Sequence, residues 1–398
     1  MSASVTQIPF PVFDADNHLY EPAEAFTRHL PKKWKREFQF VQVEGRTKLA
    51  VRGHISDYIP NPTFDLVAAP GAHEKWYRAT NEEGLTLREL SGEPVPCIPP
   101  YRNGAERLKL LDEQNIQATL VFPTLASVVE ERMGQDHELL HDVLHSLNQW
   151  EHEEWGFARE GRLFTVPIIS LADVDRAVAE LEWALANGAR TVAIRPAPVP
   201  GYRGGRSPGA AEFDPFWARV NEARIFVCLH SSDSGYDRFA QMWIGGIEYL
   251  PFQPDPFRSA LRVGERAISD TISALICHGV FDRHPDVRVV SVENGAMWVE
   301  PLLDTFKHIY GQMPQMFKRH PVEIFKRHIF VAPYYEEPIE KLAELIGVSQ
   351  VLYGSDYPHP EGLADPLSFI DELKGMSPTA QEQIMSLNLQ GLLNGERS

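Results

Sequence analysis

Short apolar runs recur along the chain, separated by longer stretches in which the apolar positions fall three or four residues apart. The first run, Val12-Phe13, passes into Asp14-Ala15-Asp16-Asn17-His18. The later runs are Ala118 to Phe122, Phe164 to Ile169, Thr191 to Arg195, Arg224 to His230, Arg288 to Val292, Ile329 to Ala332 and Val351 to Tyr353. The spacing between them predicts helices over Glu21 to about Trp34, Ala105 to Gln114, about Asp136 to Glu160, Val174 to Asn187, Asp214 to Ala223 and Thr271 to Phe281. Gly188 is suited to end the fourth of these, and the tail reads as helical and polar. Short apolar strands alternating with helices call for a parallel sheet covered on both faces. Eight strands are the number that closes a TIM (β/α)8 barrel. An open doubly wound sheet is the rival, and no Gly-rich phosphate loop follows any of the strands to support it.

One region breaks the rhythm. From about Phe38 to Pro100 the chain carries a hairpin pattern around Glu44-Gly45, then Pro- and aromatic-rich segments. These hold too many apolar residues for a solvated linker, so an insertion after the first strand, packed over one end of a single 1–398 domain, is expected. A second long aromatic stretch follows His230 and contains Trp243, Tyr249, Phe252 and Phe257. Loop packing, a lid and a subunit contact all remain open for it.

Composition narrows the class without naming a reaction. The 398 residues are 43% hydrophobic and 23% charged, as in an ordinary globular enzyme. A formal net charge of −17 argues against nucleic acid and against anionic membrane surfaces as partners. Cys97, Cys228 and Cys277 have neither metal-ligand spacing nor the even count of a disulfide framework. With no signal-peptide pattern and no membrane-length apolar run, a cytoplasmic protein is expected.

The carboxyl ends of barrel strands converge on one face, so residues far apart in the chain meet there. Those ends carry Asp16 and His18, Arg195, His230, Glu293 and Asp356. A strand-end histidine is ordinarily a core or surface residue, but two histidines and two aspartates at matching ends form a first shell for Zn²⁺, Mn²⁺ or Fe²⁺.

Three stretches, FDADNHLYEP, FDRHPDVRVVSVENGAMWV and VLYGSDYPHPEG, carry a family resemblance. Together with their order, they make the chain similar to the amidohydrolase superfamily, in the branch of aminocarboxymuconate-semialdehyde and resorcylate decarboxylases. The resemblance implies Asp16 and His18 as a ligand pair, His230 as a further ligand, and Asp356 as a metal contact that also shuttles protons. Asp-x-His replaces the His-x-His of many relatives, and Arg195 stands where binuclear members place a bridging lysine. Glu293 occupies the position of the decarboxylases' catalytic histidine; a glutamate there acts as base, ligand or bridge.

His278 is the candidate to restore the missing imidazole, although its helix should run towards the opposite end of the barrel. His359 is expected to hold Asp356 or its loop. Arg195 is either an anchor for a substrate carboxylate or part of a buried ion pair with Glu293. The leading expectation is a metal-dependent lyase (decarboxylase) or hydrolase of a small carboxylic acid, with Zn²⁺ favoured and Mn²⁺ or Fe²⁺ as alternatives. The alternatives are a manganese/iron-dependent hydroxylase of a small amino or carboxylic acid and a non-catalytic metal-binding subunit of a hetero-oligomer. A homo-oligomer is expected otherwise.

Overall fold

Successive residues of a strand face opposite ways, and this divides the buried side chains into two sets. Leu120, Phe122, Phe164, Val166, Phe226, Cys228, Val290 and Val292 pack together with Ala15, Phe330 and Leu352. Their sequence neighbours Val121, Val227, Leu229 and Val289 join the larger cluster that holds the helices. These relations come from a computed structural model that describes residues 8–56, 61–201, 204–246, 249 and 253–396.

The strands are parallel. Phe13–Asp14 and His18–Leu19 both pair with Ala118–Pro123, which pairs in turn with Leu163–Thr165. Thr191–Ile194, Phe226–His230, Arg288–Val292 and Ile329–Val331 form a second parallel series. Parallel bridges from Ile168 to Ala193, Val331 to Val351 and Asn17 to Tyr357 join the two series and return the last segment to the first. The result is an α/β architecture in which eight paired segments form a ring with all carboxyl ends on one side.

Several helices depart from the expected bounds. The first is only Ala23–Thr27, with a separate turn at Lys32–Trp34, because Pro31 has no N–H to continue it. The long helix His137–Glu154 is preceded by another, Ala126–Met133, that the spacing did not predict. The helix expected over Thr271 to Phe281 is Val263–Cys277, begun two turns earlier so that Ala267 and Ile268 are buried on the same face as Ile272. The tail is helical but not polar: Leu389, Leu392 and Leu393 pack against Phe13, Ala118 and Phe226 inside the ring's amino-terminal end.

In the segment after the first strand, Phe38–Val43, Arg46–Val51 and His54–Ser56 form an antiparallel sheet. Its first turn places Glu44 and Gly45 at φ 50° and 76°, the tight hairpin geometry the pair foretold. Phe38, Leu49, Val51, Phe64 and Val67 are buried in the main cluster. In the second aromatic stretch Trp243 is 77% exposed and meets Phe257 edge-on, Tyr249 is buried, and Phe252 lies outside the described residues. No helix among the described residues is long and apolar enough to cross a membrane.

Candidate metal centre

The end of the first strand is held from three sides. Asp14 is fully buried and faces backbone, accepting the N–H groups of Asp16 and Ser355, each at 3.0 Å, and the Ser355 hydroxyl at 2.5 Å. Burial pushes its pKa up to about 7 despite these bonds. Arg107 reaches in from the Gly104–Glu113 helix and donates to Asn17 Oδ1, to the His18 carbonyl at 2.7 Å and to the Pro100 carbonyl at 2.7 Å. Gly354 lets the last segment close in, since a Cβ there would stand 2.7 Å from that of Asp16.

Five chemistry-bearing side chains meet above this frame. His18 Nε2 lies 3.3 Å from Asp16 Oδ1, 3.5 Å from Glu293 Oε2, 3.4 Å from Asp356 Oδ1 and 3.3 Å from His230 Nε2. His230 Nε2 is 3.1 Å from Glu293 Oε2, while its Nδ1 donates to the Ser231 carbonyl at 2.8 Å. That bond leaves the Nε2 lone pair facing the cluster. Glu293 and Asp356 both have left-handed backbones, at φ 54° and 55°, a costly geometry for side chains larger than glycine.

The residues present fit a divalent cation. Two overlapping donor sets have their ligand atoms within 4.8 Å of one another: Asp16, His18, His230 and Glu293, and His18, Glu293, Asp356 and His359. Asp16 Oδ1 is buried without a hydrogen-bond partner. Burial acts to lower the His18 imidazolium, but the adjacent Asp16 and Glu293 carboxylates outweigh it and hold the pKa up at about 9. Asp356 lies well above the usual carboxylate range through burial, with the charges of Glu293, Asp16 and Glu361 adding to it. This crowding of carboxylates calls for positive charge, and the imidazole–carboxylate donor set suits Zn²⁺ or Mn²⁺.

His359 links Thr124 to Asp356. Thr124 spends its hydroxyl hydrogen on the Leu19 carbonyl at 2.8 Å, so the 3.0 Å contact with His359 Nε2 requires the imidazole to donate. Burial, with the charges of His18 and His230, keeps His359 well below its usual pKa. Its Nδ1 lies 2.7 Å from Asp356 Oδ1. The His359 ring stacks on His18 with centroids 3.9 Å apart.

Two expected site residues stand outside the cluster of five. Arg195 is bound to Glu131 of the Ala126–Met133 helix and to the Asp233 carbonyl, and not to Glu293; it lines a small space that it shares with His230. His278 caps the far end of Val263–Cys277, a helix whose first residues line the cavity beside His18, and bonds Ser207 at 2.6 Å. Fifteen residues carry it roughly 22 Å away. The sequence reading missed Arg107, Thr124, Glu336 and Glu361. Arg107, on the buried face of an amphipathic helix, was the one with a visible signal.

Beside the donors opens a cavity of about 440 Å³, walled by Asp16, Glu293 and Asp356 on one side. Trp76, Tyr77, Tyr334, Tyr335, Glu336 and Glu361 form much of the rest. The Tyr334 hydroxyl donates to the Glu293 carbonyl at 2.8 Å and so braces the strained residue.

The amidohydrolase family model matches residues 99–388, which include His230, Glu293 and Asp356. The chain belongs to the amidohydrolase family. Among solved structures, an amidohydrolase from Mycobacterium avium subsp. paratuberculosis is 41% identical, with a TM-score of 0.92 over 97% of this chain and 100% of that one. The dihydroxybenzoic acid decarboxylase of Polaromonas sp. JS666, solved with bound manganese, is 15% identical with a TM-score of 0.55, over 82% of this chain and 94% of that one. That likeness is one of fold. The 2-amino-3-carboxymuconate-6-semialdehyde decarboxylase of Dictyostelium discoideum is 23% identical over 187 residues, 44% of this amidohydrolase and 46% of that protein. The match thus spans less than half of the curated relative's length.

Proposed function

We propose that this amidohydrolase is a metal-dependent lyase or hydrolase of a small carboxylic acid, with decarboxylation as the leading reaction, working at the mouth of a TIM (β/α)8 barrel. The observation that carries the reading is the convergence of Asp16, His18, His230, Glu293 and Asp356 beside a 440 Å³ cavity. Decarboxylases of the same fold, one with manganese, support it. Asp16, His18, His230 and Asp356 would hold the ion, with Glu293 beside them. Bound there, a divalent cation supplies Lewis-acid polarisation of a substrate oxygen.

The chain's own groups handle the proton. Asp356 Oδ1 lies 2.7 Å from His359 Nδ1, and Thr124 holds the other nitrogen of that ring, so the pair is placed to pass a proton to and from the substrate. Protonating the carbon left by carbon dioxide, or the leaving group of a hydrolysis, asks for a neutral carboxylic acid in this position. Glu293 stands opposite as a second acceptor.

The two overlapping donor sets share His18 and Glu293, and this favours a second reading. In it a pair of redox metals supports hydroxylation of a small amino or carboxylic acid. Elemental analysis of the purified protein separates the two: one ion per chain fits the lyase or hydrolase, two manganese or iron ions the hydroxylase. Asp356→Asn should lower turnover by about a hundredfold or more while leaving the circular dichroism spectrum unchanged. Full activity in that variant would refute the role given to Asp356.

A further inference from the structure

Glu293 belongs to both donor sets, yet its backbone is left-handed at φ 54°. In a residue with a side chain, such a geometry persists only where the surroundings over-determine it. Two residues on, Gly295 is left-handed again at φ 62°. A Cβ there would stand 2.8 Å from Glu337 Oε1 and 2.9 Å from the Tyr334 ring, so this loop is pressed closely against the turn that carries both residues.

The restraints come from both neighbouring strands. On the side of His230, the Asn294 side-chain amide donates to the Leu229 carbonyl at 2.8 Å and to the Val292 carbonyl at 2.7 Å. On the other side, the turn after Ile329–Val331 supplies two residues. The Tyr334 hydroxyl holds the Glu293 carbonyl at 2.8 Å. The Glu337 carboxylate accepts the Ala296 N–H at 2.9 and 2.7 Å and the Met297 N–H at 3.2 Å. Glu337 also orders its own turn: its Oε2 accepts the Tyr334 N–H at 3.0 Å, and its N–H reaches the Tyr334 carbonyl at 3.2 Å. Both restraints on this side therefore pass through one carboxylate. Glu337 does not line the cavity; it faces a separate groove with Met297 and Lys341 and acts from behind the wall.

We propose that Glu337 is a positioning residue of the metal centre. By gripping the amides that follow Glu293 and by ordering Tyr334, it holds the backbone that turns the Glu293 carboxylate to His18 and His230, at 3.5 and 3.1 Å. The proposal rests on the reading that this cluster binds a divalent ion, and it adds a residue that lies outside both donor sets. The rival role is a cap. Ala296 and Met297 precede the helix Val299–Gln312, and an anion there complements the helix dipole. A cap alone contributes stability and leaves the binding of the ion untouched.

A double-mutant cycle on metal affinity separates the two. Zn²⁺ binding is measured by competition with a chelator for the unmodified chain, Glu337→Gln, Glu293→Gln and the double variant. Glu337→Gln should weaken binding about 10–100-fold, as the loss of a group that orients a ligand does. In the Glu293→Gln background the same change should cost less than about threefold, because the carboxylate it positions is gone. The visible spectrum of cobalt-loaded Glu337→Gln should move towards that of cobalt-loaded Glu293→Gln. Tyr334→Phe removes a single hydroxyl and should lower affinity in the same direction, which keeps the test open if Glu337→Gln does not fold. Unchanged affinity in Glu337→Gln, or in Tyr334→Phe where the former does not fold, would overturn the proposal alone. So would an equal loss with and without the Glu293 carboxylate. An unmodified protein that takes up no divalent ion would overturn the metal-dependent activity together with it.

Discussion

Arg107 shows how one side chain can govern a site it does not touch. Its guanidinium is wholly buried and bonds Asn17 Oδ1 and the His18 carbonyl, so it fixes the backbone on which the His18 ring stands. Arg107→Met keeps much of the volume but leaves both acceptors unsatisfied. It should cost about 2–4 kcal/mol in denaturant unfolding. Competition with a chelator should show metal affinity falling about 10–100-fold, the effect of losing a group that orients a ligand. Unchanged affinity would mean that His18 is held by its other contacts. Asp14 teaches the same lesson from the opposite direction. In the sequence it alternates with Asp16 and His18, yet its carboxylate is spent on the Ser355 and Asp16 backbone.

Among the elements, the helix Ala126–Met133 gains its start from a distant residue. Glu21 accepts the N–H groups of Thr124, Leu125 and Ala126 at 3.0, 3.1 and 2.9 Å. The sequence assigned Glu21 to the start of its own helix; the carboxylate instead caps the helix that follows the adjacent strand, where it meets the helix dipole and three orphan donors. Glu21→Ala should therefore destabilise the protein by about 1–3 kcal/mol in thermal or denaturant unfolding. Hydrogen exchange should quicken first at the amides of residues 124–126. Exchange that rises equally in Ala23–Thr27 would point back to a local role. The same cap positions the Thr124 side chain that sets the His359 tautomer, so element and site are coupled through one loop.

For the molecule as a whole, acid stability carries a readable signature. His328 donates from Nδ1 to the Val287 carbonyl at 2.9 Å and packs on Phe281, while His141 Nε2 accepts the Asp173 N–H at 3.1 Å. Burial depresses each to about 4. The unfolded chain takes up protons at these sites below about pH 6.5, which the folded one refuses until about pH 4. Folded-state stability is therefore lost as pH falls through that window, by up to about 1.4 kcal/mol per pH unit for each residue. The stability of the native protein relative to His328→Gln should decline with that slope and level off below pH 4. A difference independent of pH would show that His328 ionises freely in the fold.

Much of this molecule was legible in its sequence for a physical reason. Strand and helix periods follow from local geometry, so the alternation of apolar runs with helical spacing foretold the parallel segments and the ends on which Asp16, His18, His230, Glu293 and Asp356 gather. The turn at Glu44-Gly45 was equally local. What only the tertiary structure decided are relations between residues that no period connects. Arg195 turned to Glu131, the apolar side of the tail closed the amino-terminal end of the ring, and Glu21 capped a helix other than its own. Each depends on which side chain remains unsatisfied once its neighbours are in place, and that is settled by packing in three dimensions and not by the order of residues along the chain.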